Sequence, residues 1–566
     1  MPHLEIEIDR PFKSGDARLF WRMLKFALPY RRDAFLGLTF LLVVSASEAL
    51  GPYLVKLAID GPIVHSDLQG LAHLAIIYLL IMVGGYWASV HQSVRMEIIG
   101  QKVMADMRSQ LFSHLQKMTA SFFDANPSGR LMTRVIGDVD AIQELFTSGF
   151  VTVLGNGLTL ASTAAAMLLL DWKLALLPLG LMPVVLGAAV VYKNYARAAY
   201  RLIRSALSRM NGYMAENVNG MATVHLNNSA ELNFIKFKEM NEGYKRELLK
   251  SIRYNALFYP LVQFSSALSI ALVLGFGGER MVFRGLGVGV VVAFVQYVQQ
   301  FFNPVRNMAE KYNVFQSALA SSERIFQLLD RKPDALDPKR PVTLQAVRGD
   351  VKFERVHFSY SSGRPVLTDV SFHIRSGECI AIIGTTGAGK TTLSNILLRF
   401  YPLEQGRVLL DDVDIKDLAR SDLRRNIVLI PQEIFLFQGT IAQNISLDRP
   451  GVTDEKIKQA VELAGATAYF QRFPLGLGQP VGERGALLST GERQLVAFIR
   501  ALILDPPVLL LDEATSSIDM EMENLLQRAL CKLMDQRTCL IIAHRLSTLN
   551  IVDRVLRVEG RTVREC

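Results

Sequence analysis

Stretches of about 20 consecutive apolar residues, the length an α-helix needs to cross a hydrocarbon core, start near Ala34, Leu71, Gly149, Leu174, Phe258 and Gly287. Six membrane-spanning helices are predicted from them. Past Asp330 the pattern changes. A polar stretch with Arg331, Lys332, Pro333 and Asp334, then Pro338 and Pro341, predicts a linker over 331–345. Beyond it a β-type alternation (Val351, Phe353, Val356, Phe358) gives way to short buried-strand runs separated by helical stretches. The expected architecture is an α-helical transmembrane domain over 1–330, with long cytoplasmic extensions of its helices, followed by an α/β domain over 346–566.

Composition agrees with this division. A chain of 566 residues is long for one domain, and 50% hydrophobic residues with a mean hydropathy of +0.23 is high for a purely soluble protein. The net charge of +9 fits anionic lipid or nucleic acid, and position decides between them. The Lys and Arg residues sit mostly beside apolar segments, so membrane lipid is the expected partner and nucleic acid is not. Met1 to Arg32 is charged and has no apolar core followed by a small-residue cleavage site, so the first hydrophobic helix is expected to direct insertion itself. Cys379, Cys531, Cys539 and Cys566 lack metal-ligand spacing and read as reduced cytosolic thiols.

Charge also sets orientation. The segment from Asp60 to Asp67 has no Lys or Arg, whereas 95–134 and 193–253 are studded with both. By the positive-inside rule the basic loops, and with them both termini, are cytoplasmic, and Arg280 and Arg284 are an exception on the fifth loop. The two basic loops are about 50 to 60 residues each with helical patterning, so the membrane helices should continue into the cytosol. Each loop contains a break, one from Phe122 to Gly129 and one near Asn219 and Gly220. The breaks either present a short docking helix to the second domain or are ordinary helical hairpins. Ahead of the first span, Phe20, Trp21, Leu24, Phe26 and Leu28 interleave with Arg22 and Lys25, as in an interfacial helix or a solvated linker helix. Within the spans Glu48 is the one carboxylate near mid-membrane, either lining a cavity for a cationic substrate or packing between helices as a protonated or hydrogen-bonded group. Asn156, Gln263, Gln296 and Gln299 either line a polar pathway or join helices.

Chemistry enters with Gly384, Thr385, Thr386, Gly387, Ala388, Gly389, Lys390 and Thr391, which match G-x-x-x-x-G-K-[ST] directly after the apolar run Cys379 to Ile383 and before a helical run. Glycines let backbone N–H groups curl around phosphates, the following helix points its positive end at them, Lys390 reaches the outer phosphates, and the Thr391 hydroxyl can ligate Mg²⁺. The run Val508 to Leu511 ends in Asp512, which can hold the Mg²⁺ shell, and Glu513, which can orient or deprotonate the attacking water. A further strand, Leu540 to Ala543, leads to His544, whose imidazole can hydrogen-bond a γ-phosphate or be structural.

Leu488, Ser489, Thr490, Gly491 and Glu492, followed by Arg493, Gln494 and a helical run, are similar to the LSGGQ signature of the ABC transporters. Nearly the whole chain resembles their exporters, which fuse membrane and ATPase domains. The resemblance implies that Tyr360 stacks on adenine, that Gln432 senses Mg²⁺ and the membrane domain, that Ser517 to Asp519 form the D-loop, and that His544 is the switch histidine. It also implies that Glu483 contacts the docking helices and that the break from Phe122 to Gly129 belongs to the first intracellular loop. The expected binding set for ATP is Tyr360, Thr386, Gly387, Ala388, Gly389, Lys390, Thr391, Thr392, Ser489, Gly491 and Asp519, with Thr391, Gln432 and Asp512 on Mg²⁺ and Glu513, His544 and Gln432 in catalysis. Thr490 and Glu492 depart from the usual Gly and Gln. The Glu492 carboxylate would repel phosphate, so it is expected to point away from the nucleotide. The chain ends at Cys566, soon after Val558, so the family's last helical element is expected to be trimmed or missing.

The family implies that the signature of one ATPase domain completes the P-loop site of another. With one of each, the chain reads as a half-transporter that pairs with a second copy or a sister subunit in the cytoplasmic membrane and moves a small amphipathic substrate, lipid or drug. Two other classes compete. A soluble ABC ATPase acting on nucleic acid is excluded by the apolar spans, and an ATP-gated channel or sensor is disfavoured by Glu513, since a gate needs binding more than turnover.

Overall fold

The computed structural model describes residues 14–333, 337–344, 346–360, 365–512, 519–543 and 551–565. The chain divides into two compact units, Met1–Gln116 with Ser128–Arg331, and Lys117–Pro127 with Lys332–Cys566. The short segment at the tip of the loop between the second and third apolar spans thus belongs with the C-terminal unit.

The first unit is helical. An amphipathic α1 (Ser14–Ala27) precedes α2 (Arg31–Ala58) and α3 (Leu68–Gln116). After α4 (Ala120–Ala125), which lies in the second unit, come α5 (Ser128–Thr133), α6 (Val139–Glu144) and α7 (Phe150–Leu170), joined through wider π-type turns at Arg134–Asp138 and Leu145–Gly149 into one rod. Three long helices, α8 (Trp172–Asn219), α10 (Ala230–Arg284) and α11 (Val288–Asp330), are interrupted only by the short α9 (Met221–Leu226) after Gly220. Among the described residues five helical segments are long and apolar enough to cross a membrane: Arg18–Ile63, Leu68–Gln116, Ser128–Leu170, Trp172–Asn219 and Ala230–Phe283. The sixth expected span begins α11. These helices are 43 to 55 residues long, well beyond the roughly 20 that a bilayer needs.

Among the described residues several ion pairs brace this unit, three of them tying helices far apart in sequence. Asp171 caps α8 by accepting from the backbone N–H groups of Lys173 and Leu174, and the same carboxylate accepts two bonds from Arg280, at 2.9 and 2.7 Å. Arg280, one of the two basic residues that broke the charge pattern, is therefore already neutralised. Asp138 is buried in the rod and accepts from Ser321 at 3.0 Å and from Arg324 Nε at 3.0 Å on α11. The guanidinium of Arg22 on α1 grips Asp330 at the end of α11 through two bonds and lies 4.1 Å from the Phe326 ring, so α1 is clamped to α11.

The second unit is α/β. A four-stranded antiparallel sheet has the order β2-β1-β4-β5, with β1 Val351–Ser359, β2 Pro365–Ile374, β4 Gln405–Leu410 and β5 Val413–Asp414. The slip in the β1 alternation between Phe353 and Val356 is a register shift against β2. A six-stranded sheet has the order β10-β9-β3-β8-β7-β6, with β3 Cys379–Ile383, β6 Ile427–Ile430, β7 Val508–Asp512, β8 Thr538–Ile542, β9 Arg554–Glu559 and β10 Thr562–Glu565. All its pairs except β9 with β10 are parallel.

Because successive strand residues face opposite ways, this sheet serves two cores. Ile380, Ile382, Leu510 and Leu540 pack with the four-stranded sheet, α12 (Lys390–Leu397) and α13 (Arg420–Asn426). Cys379, Leu509, Leu511 and Ile541 pack on the other face with α14 (Ile441–Ser446), α15 (Asp454–Leu463), α16 (Thr467–Phe470), α17 (Thr490–Leu504) and α18 (Met520–Met534). Cys379 and Cys539 are buried free thiols and Cys531 an exposed one. Cys566 lies outside the described residues.

Candidate nucleotide site

The central strand β3 is buried along nearly its whole length and ends in the glycine loop, whose Gly387 and Gly389 have φ of +81° and +103°, values that L side chains rarely adopt. A Cβ on Gly384 would stand 2.7 Å from the Val558 carbonyl, so the loop's first residue must also be small. The loop feeds α12, whose first residue is Lys390. That side chain is buried, and its ammonium donates to the carbonyls of Gly384 at 2.8 Å and Thr385 at 3.1 Å. Burial pulls the Lys390 pKa down from its ordinary value, and Asp512 opposes the shift. Thr386 and Gly387 are exposed and Ala388 half-buried, leaving the loop's outer face open.

The Thr391 hydroxyl donates to Asp512 at 3.0 Å, across 121 positions of sequence. The strand β6 lies beside β7, with Ile430 opposite Leu511, so Gln432, two residues further on, follows the same sheet edge that ends in Asp512. A hydroxyl and a carboxylate already within hydrogen-bond distance suit Mg²⁺, which binds through one or two protein oxygens and completes its octahedron with water and phosphate. Glu513, His544, Ser517 and Ile518 lie outside the described residues.

On the other side of the loop, the Tyr360 hydroxyl lies 3.0 Å from that of Thr392 and accepts from Asn395 Nδ2 at 3.4 Å. Its ring is half-exposed and meets Phe358 and Tyr401 edge to face, with centroids 4.9 Å away in both cases. Thr392 is itself buried, so its hydroxyl serves Tyr360. Tyr401 donates to Asp124 of α4, and burial, then this bond, push its hydroxyl pKa up. Phe122 is buried in the same segment. The first-loop segment around α4 therefore reaches the aromatic pair beside the glycine loop. Sequence reasoning missed Tyr401 and Asn395, since nothing in their local spacing marks them.

The signature stands on the opposite face of the sheet. Ser489 is the N-cap of α17 and accepts from Glu492 N, while the Glu492 carboxylate accepts from Ser489 N at 2.6 Å and from the Tyr469 hydroxyl at 2.9 Å. Glu492 is thus turned back onto its own helix start. The spacing Ser-x-x-Glu is that of a capping box and was available in the sequence. The hydroxyl of Thr490 accepts from Arg493 at 3.2 Å, and Gly491 is buried. Asp519 caps α18 by accepting from Met522 N at 3.1 Å, and Glu483 is exposed on a short turn. Among the described residues no hydrogen bond joins Ser489, Gly491 or Asp519 to the glycine loop.

Comparison with known proteins gives the same picture. Residues 34–305 match the family model of the ABC transporter transmembrane region, and residues 367–516 match the family model of the ABC transporter. An uncharacterized ABC transporter ATP-binding protein of Bacillus subtilis, YknV, is 34% identical over 99% of this chain and 92% of its own length. An ATP-dependent lipid A-core flippase of Syntrophus aciditrophicus is 32% identical over 97% of this chain and 91% of its own. The solved structure of a bacterial Atm1-family ABC exporter with ATP bound superposes with a TM-score of 0.78 at 24% identity, covering 94% of both chains, which establishes a shared fold. The chain belongs to the ABC transporters, as an integral membrane exporter polypeptide that carries its transmembrane region and its ATP-hydrolysing domain together.

Proposed function

We propose that two copies of this chain form an exporter that uses ATP to move an amphipathic molecule, lipid or drug, across the cytoplasmic membrane, with six spans per chain and both termini in the cytoplasm. One observation carries the dimer. The glycine-loop helix α12 and the signature helix α17 pack on opposite faces of one sheet, so a chain does not bring its own signature to its own glycine loop. A second copy supplies it. Relatives named as a lipid A-core flippase and a probable multidrug resistance transporter support the substrate range.

In this reading adenine stacks on Tyr360, and the loop from Thr386 to Gly389 with Lys390, Thr391 and Thr392 cradles the phosphates. Thr391, Asp512 and Gln432 would hold Mg²⁺, which neutralises phosphate charge when bound. Glu513 orients and deprotonates the attacking water, His544 hydrogen-bonds the γ-phosphate, and Ser489, Gly491 and Asp519 of one copy close over the nucleotide of the other. Closure pulls α4 through Asp124 and Tyr401, turning the helices from an inward-facing to an outward-facing arrangement. The cycle requires that ATP bind the closed state more tightly than the open one.

The test is ATP hydrolysis by the purified chain in lipid, wild type against Glu513→Gln, with lipids and drugs added in turn. Cooperative turnover that the substitution abolishes and one substrate class stimulates is the expected result. A silent wild-type chain would point to a sister subunit or to an ATP-gated sensor instead.

A further inference from the structure

The helix α2 buries Leu41, Ser45 and Pro52, a stripe with helical spacing, and Glu48 falls on that stripe between Ser45 and Pro52 yet is exposed. The packed face of the helix opens at this one residue. Its carboxylate accepts a single bond there, from the Thr159 hydroxyl of α7 at 3.0 Å, and among the described residues it has no ion pair. Thr159 stands in a polar row along α7. One turn to either side, the Asn156 amide nitrogen and the Thr163 hydroxyl are buried without a hydrogen-bond partner, and Thr163 is 1% exposed. Buried polar atoms left unmatched in a bilayer-spanning unit are costly, and so is an unpaired carboxylate at mid-span.

We propose that Glu48, held by Thr159, is the recognition point for the charged group of a lipophilic organic cation, a reading that rests on the exporter function above and names its substrate class. The donor set argues against a metal ion. A single carboxylate beside neutral hydroxyls and one amide is a poor set for Mg²⁺ or Ca²⁺, whose protein sites are built on carboxylate oxygens, and no group of three or more His, Cys, Asp or Glu able to hold a metal exists among the described residues. An organic cation needs only one anion and some polar lining. To reach mid-span it must also be stable among apolar side chains, which requires a diffuse or shielded single charge on a hydrophobic body. One carboxylate with no neutralising cation beside it attracts cations and not neutral molecules of the same shape.

The experiment places the full chain in lipid nanodiscs without nucleotide and measures equilibrium binding of tetraphenylphosphonium beside its neutral analogue tetraphenylmethane. In Glu48→Gln, whose amide oxygen can still accept from Thr159, the dissociation constant for the cation rises about tenfold or more and that for the neutral analogue stays put. Glu48→Asp, which keeps the charge, retains the preference for the cation. Equal cation binding by wild type and Glu48→Gln overturns the proposal, as does a wild type that hydrolyses ATP and moves lipid but does not bind the cation. A chain that binds the cation through Glu48 and never hydrolyses ATP would instead defeat the exporter reading and leave this site standing.

Discussion

The carboxylate of Glu492 occupies a position where the signature of the family usually has glutamine, and its two contacts explain how an acid is tolerated there. It receives Ser489 N and the Tyr469 hydroxyl, so its charge is spent on the start of α17, where the helix dipole favours an anion. Glutamine keeps an acceptor for Ser489 N, whereas alanine leaves that N–H and the Tyr469 hydroxyl unmatched. Glu492→Ala should therefore cost about 1 kcal/mol in thermal or denaturant unfolding of the C-terminal unit, and Glu492→Gln much less. A larger loss in the Gln variant would show that the charge, not the cap, holds the loop. The contact of Thr391 with Asp512 invites a second test. Thr391→Val removes the hydroxyl, and the Mg²⁺ concentration for half-maximal ATP hydrolysis should rise roughly tenfold or more. An unchanged Mg²⁺ dependence would remove Thr391 from the metal site. The glycine loop and Asp512 were legible in the sequence because contiguous spacing and an apolar lead-in identify them. Tyr469 was not, because its link to Glu492 spans 23 positions with no periodic pattern to announce it.

Between elements the strongest constraints come from charged pairs that join distant parts of the chain. Asp138 is the clearest case. Its side chain is 9% exposed and bonded to Arg324 and Ser321, so Asp138→Ala leaves a guanidinium without its acid inside the helical unit. The expected cost is roughly 3 kcal/mol, at the low end for a broken buried pair because Arg324 stays 32% exposed, and it should appear as a lowered unfolding temperature of the full chain in detergent. At the tip of the first loop, Tyr401→Phe removes the donor to Asp124 while keeping the ring against Tyr360. Substrate moved per ATP hydrolysed should fall several-fold, and a preserved ratio would exclude this bond from coupling. The periodicity of apolar residues made the helices and strands themselves legible, including the breaks before Gly129 and at Gly220. The braces between them were not, since a pair such as Arg22 with Asp330, 308 positions apart, leaves no local trace. The fifth-loop exception shows the same limit. Arg280 looked out of place only while its partner Asp171 was unknown.

At the scale of the whole molecule, the two-faced sheet keeps a chain's glycine-loop helix and its signature helix on opposite sides, and the proposed pairing rests on that separation. The face carrying α12 and the face carrying α17 are built from alternate residues of the same strands, so no small adjustment of a loop exchanges them. If two copies meet with two-fold symmetry, each glycine loop faces the other copy's signature, and damage can be distributed so that one site survives. Lys390→Ala removes the ammonium from one chain's loop, and Ser489→Arg blocks the signature start on the other. Each variant alone has two broken sites and should be inactive. Co-expressed in equal amounts, they form mixed dimers in which the intact loop of the Ser489→Arg chain meets the intact signature of the Lys390→Ala chain. Random pairing makes half the dimers mixed, each with one good site of two, so ATP hydrolysis should recover to roughly a quarter of wild type if the sites turn over independently. A mixture no more active than its separate components would sink the shared-site dimer, because the same chains would then have had every part needed to build one.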